Sequence, residues 1–229
     1  MARKKLQRFA ENAQMAHVIE PERNEVLDGL SLAGRWREAI FENDRPLILE
    51  LGCGKGEYSV ALAQRDPHSN YLGIDIKGSR IWYGAKEGEE KGLQNLAFLR
   101  TQIELLDRCF AADEVDEIWI TFPDPQIKFA RTKHRLTHPD FLKRYAQVLK
   151  ADGLVHLKTD SEFLHGYTQA TLEAYQQPIL QAFFNIDRQM VHEPQHVLHQ
   201  VRTHYEEQFR AEGKAITYLK FKLDQRLLP

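Results

Sequence analysis

Cysteine is nearly missing from this chain: Cys53 and Cys109 are its whole complement. Two thiols cannot build a disulfide framework, and neither sits at metal-ligand spacing, so reduced thiols and no metal are expected. Cys53 reads as a small loop filler rather than a nucleophile. Long apolar runs are lacking as well. Nothing reaches the length of a membrane span, and the charged opening MARKKLQRFAENAQ has no apolar core of a secretory leader. A soluble, cytoplasmic chain with no membrane partner is the expectation. Positive charge is not in excess either: the formal net charge of −2 argues against a generally basic nucleic-acid binder. Any RNA partner must then be held by a local patch. No repeat, low-complexity tract or dividing linker breaks the sequence, and its length suits one α/β domain with additions.

Leu47 to Ala63, LILELGCGKGEYSVALA, reads as strand, loop and helix. Leu47, Ile48, Leu49 and Leu51 form a run suited to a buried parallel strand. Gly52, Gly54 and Gly56 lack the Cβ that would keep a bulky ligand off the backbone. Two familiar loops are excluded by spacing. A dinucleotide fingerprint needs a glycine where Glu57 stands, and a phosphate-cradling loop needs Lys then Ser or Thr where Glu57 and Tyr58 follow. The remaining pattern, Glu50 through Gly56, resembles motif I of class I methyltransferases that use S-adenosylmethionine. An acid at the strand end, Glu50, suits that cofactor's sulfonium and ammonium. A glycine turn of any α/β domain is the plainer alternative.

The other candidates follow in chain order. Residues 1–45 form a lead-in that opens with Arg3, Lys4, Lys5 and Arg8. They read as a solvated, frayed basic tail or as an arm that orders on RNA, with Trp36 and Phe41 packing the edge of the first strand. NYLGID ends a second strand in Asp75, nineteen residues after Gly56, where a carboxylate accepts from ribose hydroxyls; capping the next helix is its alternative. Gln102 follows the third strand and offers adenine both a donor and an acceptor. DEIWITF is a fourth strand running into Pro123-Asp124-Pro125, whose prolines hold Asp124 at the ligand-bearing edge. The loop beyond it holds Lys128, Arg131, Lys133, His134 and Arg135 around Phe129, cations and an aromatic suited to phosphates and a stacked base. Thr137 is the expected cap of a helix with Pro139 in its first turn. GLVHLKTD is a fifth strand ending in Asp160, which accepts from a guanine edge or caps the next helix. His192, His196 and His199 match no zinc spacing and read as surface residues.

Taken together, ELGCGKG, YLGID, FPDPxxK at Phe122–Lys128, KxR at Lys133–Arg135, FLKRYAQVLKADG, HLKTD at His156–Asp160 and TxYExxF at Thr203–Phe209 resemble the bacterial tRNA (guanine-N7-)-methyltransferase family. The likeness spans most of the chain. It implies a Rossmann-like, doubly wound, mostly parallel seven-stranded sheet with helices on both faces, filling residues 46–229 as one domain. It implies methyl transfer from S-adenosylmethionine to N7 of a guanine in the tRNA variable loop, by a monomer or homodimer. Glu50, Asp75, Gln102 and Asp124 would line the donor site with the three glycines. Asp124 would also be catalytic. Lys128, Lys133, Arg135, Asp160, Thr203, Tyr205 and Glu206 would meet the tRNA. This chain departs from the family in having Gln126-Ile127 where Trp-Pro is common, Phe129, Ala130 and Thr132 thinning the basic run, and Gln102 in place of an acid. A methyltransferase for another RNA or a small molecule, and a silent tRNA-binding module, are the competing readings.

Overall fold

A strand that is apolar on both sides needs cover on both sides, and the architecture supplies it. The computed structural model describes residues 2–228; the side chains of residues 2–4 and 227, and with them the Arg3 and Lys4 of the expected basic arm, lie outside the description. The strands are β1 (Val18–Ile19), β2 (Leu47–Leu51), β3 (Asn70–Asp75), β4 (Leu96–Arg100), β5 (Val115–Thr121), β6 (Leu149–Thr159), β7 (Ile179–Phe183) and β8 (Thr217–Phe221). They form a single sheet in the order β1-β4-β3-β2-β5-β6-β8-β7, in which only β8 runs against its neighbours. The sheet is thus doubly wound as expected, with eight strands rather than seven; the extra one is the two-residue β1 beside β4.

The helices are α1 (Ala2–Asn12), α2 (Arg23–Leu27), α3 (Glu57–Arg65), α4 (Gly78–Glu90), α5 (Leu106–Cys109), α6 (Pro139–Val148), α7 (Glu162–Ala174), α8 (Ile186–Gln189), α9 (Val197–Gln200) and α10 (His204–Ala211). Alternation along β2 sorts them into two layers. Leu47, Leu49 and Leu51 point into one core with Leu106, Phe141, Tyr145 and Leu164, whereas Ile48 joins Tyr58, Ile81, Ala85 and Leu198 in the other. Cutting fully buried Leu49 back to alanine should cost about 2–5 kcal/mol. Among the described residues no helix is long and apolar enough to cross a membrane.

The lead-in is not a frayed tail. α1 docks on α4: Asn12 is buried and donates to Gly78 O at 3.0 Å, and Trp82 Nε1 donates to Glu11 at 2.5 Å. Trp36 sits in the core rather than at a sheet edge, with its indole donating to Cys109 O at 2.9 Å. Glu114, itself buried, accepts from the amides of Gly34, Trp36 and Ala111, which ties the lead-in to the sheet. α6 is capped by His138, whose ring accepts from Asp140 N, while the expected cap Thr137 is buried and bonded to Thr168. Pro139 at the first helical position makes its predecessor the cap.

β2 lies between β3 and β5, and from it the chain winds first one way and then the other. This is the switch point of the sheet, where loops at the carboxyl ends diverge and leave a crevice.

Candidate active site

β2 runs straight into the glycine loop, whose shape is set by its own backbone. The amides of Gly52 and Cys53 both donate to Ile74 O, at 2.8 and 3.0 Å. Gly56 starts α3 with φ +74°, and a Cβ there would lie 2.7 Å from the Phe98 ring, so conformation and space both demand glycine. Gly52 has φ +74° too, but a Cβ on it would meet only Leu136, at 3.8 Å, because it borders open space.

That space is a cavity of about 420 Å³ walled by Gly52, Asp75, Gln102 and Asp124. Residues named from sequence for the donor thus converge from β2, β3, β4 and β5. Asp75 reaches both ways, its Oδ2 accepting from Gly54 N at 3.0 Å and its Oδ1 from Lys77 N at 2.8 Å. Gln102 precedes the turn Ile103–Leu105 and spends no hydrogen bond capping it. Arg80 of α4, which sequence reading passed over, also lines the cavity, as does His134, read there as part of the basic loop.

Glu50 sits deeper than the other side chains named for the donor. It lies beneath the loop, 4 % exposed, with Oε1 accepting from Thr121 Oγ1 at 2.6 Å and Oε2 accepting from the amide of Ser59 at 2.8 Å and from its hydroxyl. Burial pushes its carboxyl up to about 7, overriding the hydrogen bonds that favour the charged form. Glu50 lines a second, smaller cavity of about 110 Å³, whose walls Gly52, Arg80 and Phe122 are shared with the first. Thr203 and Tyr205 reach this second cavity from the start of α10.

Asp124 is exposed at the mouth, its Oδ1 accepting from Gln126 N at 3.0 Å. Phe122 and Gln126 on either side adopt φ of +47° and +48°, left-handed backbone that non-glycine residues hold only when their surroundings insist. The surroundings here include Arg135, which the sequence suggested for RNA. Arg135 is 5 % exposed, donates to Gln126 O at 3.2 and 3.1 Å, and lies over the rings of Phe163 and Tyr167 at 4.8 and 4.3 Å. It braces the Asp124 loop from inside and cannot offer its guanidinium to a partner. Lys128 and Lys133, by contrast, are exposed, one before and one within the turn Phe129–His134, whose last residue lines the cavity.

Glu206 is the second correction. It is fully buried and pairs with fully buried Lys158 at 2.7 Å, while Arg210 donates to its other oxygen at 3.0 and 2.9 Å. Lys158 Nζ spends its remaining donors on Leu198 O and Val201 O. Burial pulls Lys158 down to about 8, with Glu206 opposing. The cluster fastens α10 to β6, and Thr203 caps the helix by accepting from Glu206 N. Lys158 was visible in HLKTD as a charge inside an apolar strand, a signal of an interior partner. Asp160 is not gathered into either cavity. It pairs with Lys214 at 3.2 Å and lines a separate open cavity with Asp187 and Arg210, and Ser161 rather than Asp160 caps α7. Among the described residues no His, Cys, Asp and Glu cluster is arranged for a metal ion.

A switch-point crevice floored by a glycine loop, with a carboxylate after β3 and another after β5, defines a class I methyltransferase. The fold is shared with a 16S rRNA methyltransferase, KamB, at TM-score 0.61 and 14% identity over 82% of this chain and 92% of that one. Residues 44–219 match the methyltransferase family model Methyltransf_4. The tRNA (guanine-N(7)-)-methyltransferase of Christiangramia forsetii is 54% identical over 97% of this chain and 99% of its own length. That of Bacteroides thetaiotaomicron is 46% identical over 98% and 88%. The chain belongs to the tRNA (guanine-N(7)-)-methyltransferase family.

Proposed function

We propose that the protein transfers a methyl group from S-adenosylmethionine to N7 of a guanine in the variable loop of tRNA. The observation that carries this reading is the meeting of Asp75, Gln102, Gly52 and Asp124 on one cavity whose rim bears exposed Lys128 and Lys133. A small-molecule acceptor would give those rim cations no task.

The residues suit the donor. Asp75 retains acceptor capacity beyond its two backbone bonds for ribose hydroxyls, and the free Gln102 amide suits adenine. The open face of Gly52 admits the body of the molecule, and Glu50 beneath it suits a cationic head. When bound, S-adenosylmethionine supplies an electrophilic methyl on a sulfonium. Guanine N7 attacks with a free lone pair, so no side chain has to remove a proton from it. Orientation is therefore the main task of the protein, and fixing two reactants in line can be worth roughly 7–11 kcal/mol. The purine becomes cationic as it is alkylated, and Asp124 at the mouth stabilises that charge and accepts from the purine's N–H groups. Lys128 and Lys133 hold phosphates, while Thr203 and Tyr205 border the nucleoside from the smaller cavity.

The test is incubation with methyl-labelled donor and an unmodified tRNA transcript, followed by chain cleavage specific for N7-methylguanine. Label in the RNA with cleavage in the variable loop is expected. Label elsewhere, or none, would overturn the reading.

A further inference from the structure

The rim opposite Lys128 has its own cations, and they are arranged around one ring. Tyr83 on α4 is 39 % exposed. The Arg8 guanidinium of α1 lies 4.4 Å from its centroid and donates to its hydroxyl at 2.6 Å, and Lys55 of the glycine loop approaches the same ring at 5.5 Å. One turn earlier on α4, exposed Arg80 lines both cavities of the active site.

Among the described residues none of the neighbouring carboxylates forms an ion pair with these cations. Glu11 accepts from Gln7 and the Trp82 indole, Glu20 from Asn12, Glu57 from His204 N, and Asp75 from two amides. Among the described residues neither Lys55 nor Arg80 has a carboxylate partner. Like charges gathered on one face without ion-pair partners are set for an anion, and the position relative to the cavity says which. Gly52 and Phe122 line both cavities together with Arg80, and Lys55 lines the smaller one, so an acceptor base seated there would carry its phosphates past Arg80 and Lys55.

We propose that Arg8, Lys55 and Arg80 form a second phosphate-binding surface for the RNA substrate, across the mouth from the Lys128–Lys133 turn, with Tyr83 as its platform. The RNA strand spans the active site and is held on both sides. This inference rests on the tRNA reading above and adds a contact surface to it. It also gives docked α1 a task, since α1 holds Arg8 against Tyr83 before RNA arrives.

The experiment measures equilibrium binding of an unmodified tRNA transcript to the full-length protein across a salt series. Lys55→Ala with Arg80→Ala should weaken binding about tenfold and lower the slope of log affinity against log salt by about 2, roughly one per lost contact. Because Arg80 also borders the donor cavity, Lys55→Gln alone is the second variant, expected to lower the slope by about 1. Unchanged slope and affinity in both variants would overturn the proposal, as would calorimetry showing that the double variant loses only cofactor affinity. Failure of the wild-type protein to bind the transcript would instead bring down the tRNA reading itself.

Discussion

The two rims of the active site are built by different physics. On the donor side, from β2 to β4, carboxylate and loop meet through short backbone hydrogen bonds between segments joined by one helix, such as Gly54 N to Asp75 and Gly52 N to Ile74 O. On the acceptor side, from β5 to α10, the positions of Asp124, Thr203 and Tyr205 depend on charges drawn inward: Arg135 under the Asp124 loop, and Lys158 with Glu206 under α10. Away from Asp75 and Gly56, a donor loop shaped by its own backbone tolerates side-chain replacement. An acceptor site held by buried charge does not, because removing one partner leaves the other unsatisfied.

The sharpest way to break this contrast is Glu206→Ala, which strands Lys158 in the interior. Loss of a buried partner costs about 3–5 kcal/mol, read from urea unfolding, with Lys158 left without a counter-charge while Arg210 keeps Asp187. The sign with pH is fixed. Lys158 is already pulled down to about 8, and without Glu206 it falls further, so its charged form is what the variant cannot bear; the defect from this residue should be largest well below pH 8 and shrink as pH rises toward 8. A defect independent of pH would mean that Lys158 is not the stranded group.

Asp124→Ala follows, with methyl transfer slowed by about 10²–10³ and cofactor affinity nearly kept, measured by label incorporation and calorimetry. Donor affinity falling in step with transfer would erase the division between the two rims. Arg135→Lys is expected to cost about 1–3 kcal/mol in stability and to reduce transfer without touching the salt dependence of tRNA binding, since lysine cannot reproduce a guanidinium stacked on Tyr167 and bonded to Gln126 O. A shallower salt slope would return Arg135 to the RNA.

Sequence made the place of the proposed donor rim legible because its determinants are local. A short apolar run followed by Gly52, Gly54 and Gly56 dictates strand, loop and helix, and NYLGID dictates a carboxylate at a strand end. Asp124 was legible for the same reason, through its prolines. Arg135 and Glu206 were misread because a charge inside a motif looks the same whether it faces RNA or an interior partner. The partners that settle the matter come from afar: Phe163 and Tyr167 of α7 for Arg135, and Lys158 of β6 for Glu206. The docking of α1 escaped for a related reason. Its holdfasts include polar and cationic contacts, Asn12 on Gly78 O and Arg8 on Trp82 and Tyr83, whose partners lie far along the chain on α4.

Smaller effects sharpen the picture. Glu50 is protonated in part below about pH 7, and a cationic ligand head favours its ionised form, so cofactor binding should release protons near pH 6 and none near pH 9, read by calorimetry in buffers of different ionisation heat. Glu50→Gln should abolish that release. Removing Lys128 and Lys133 together should weaken tRNA binding severalfold and lower the salt slope by about 2, leaving stability unchanged.

The reaction centre itself can be tested by a single atom. A tRNA transcript carrying 7-deazaguanine in the variable loop keeps the shape and charge of the substrate but replaces the N7 lone pair with C–H. Undiminished binding and no methyl transfer to that transcript are expected, beside full transfer to the unmodified one. Label accepted by the 7-deaza transcript at an undiminished rate would contradict attack through N7.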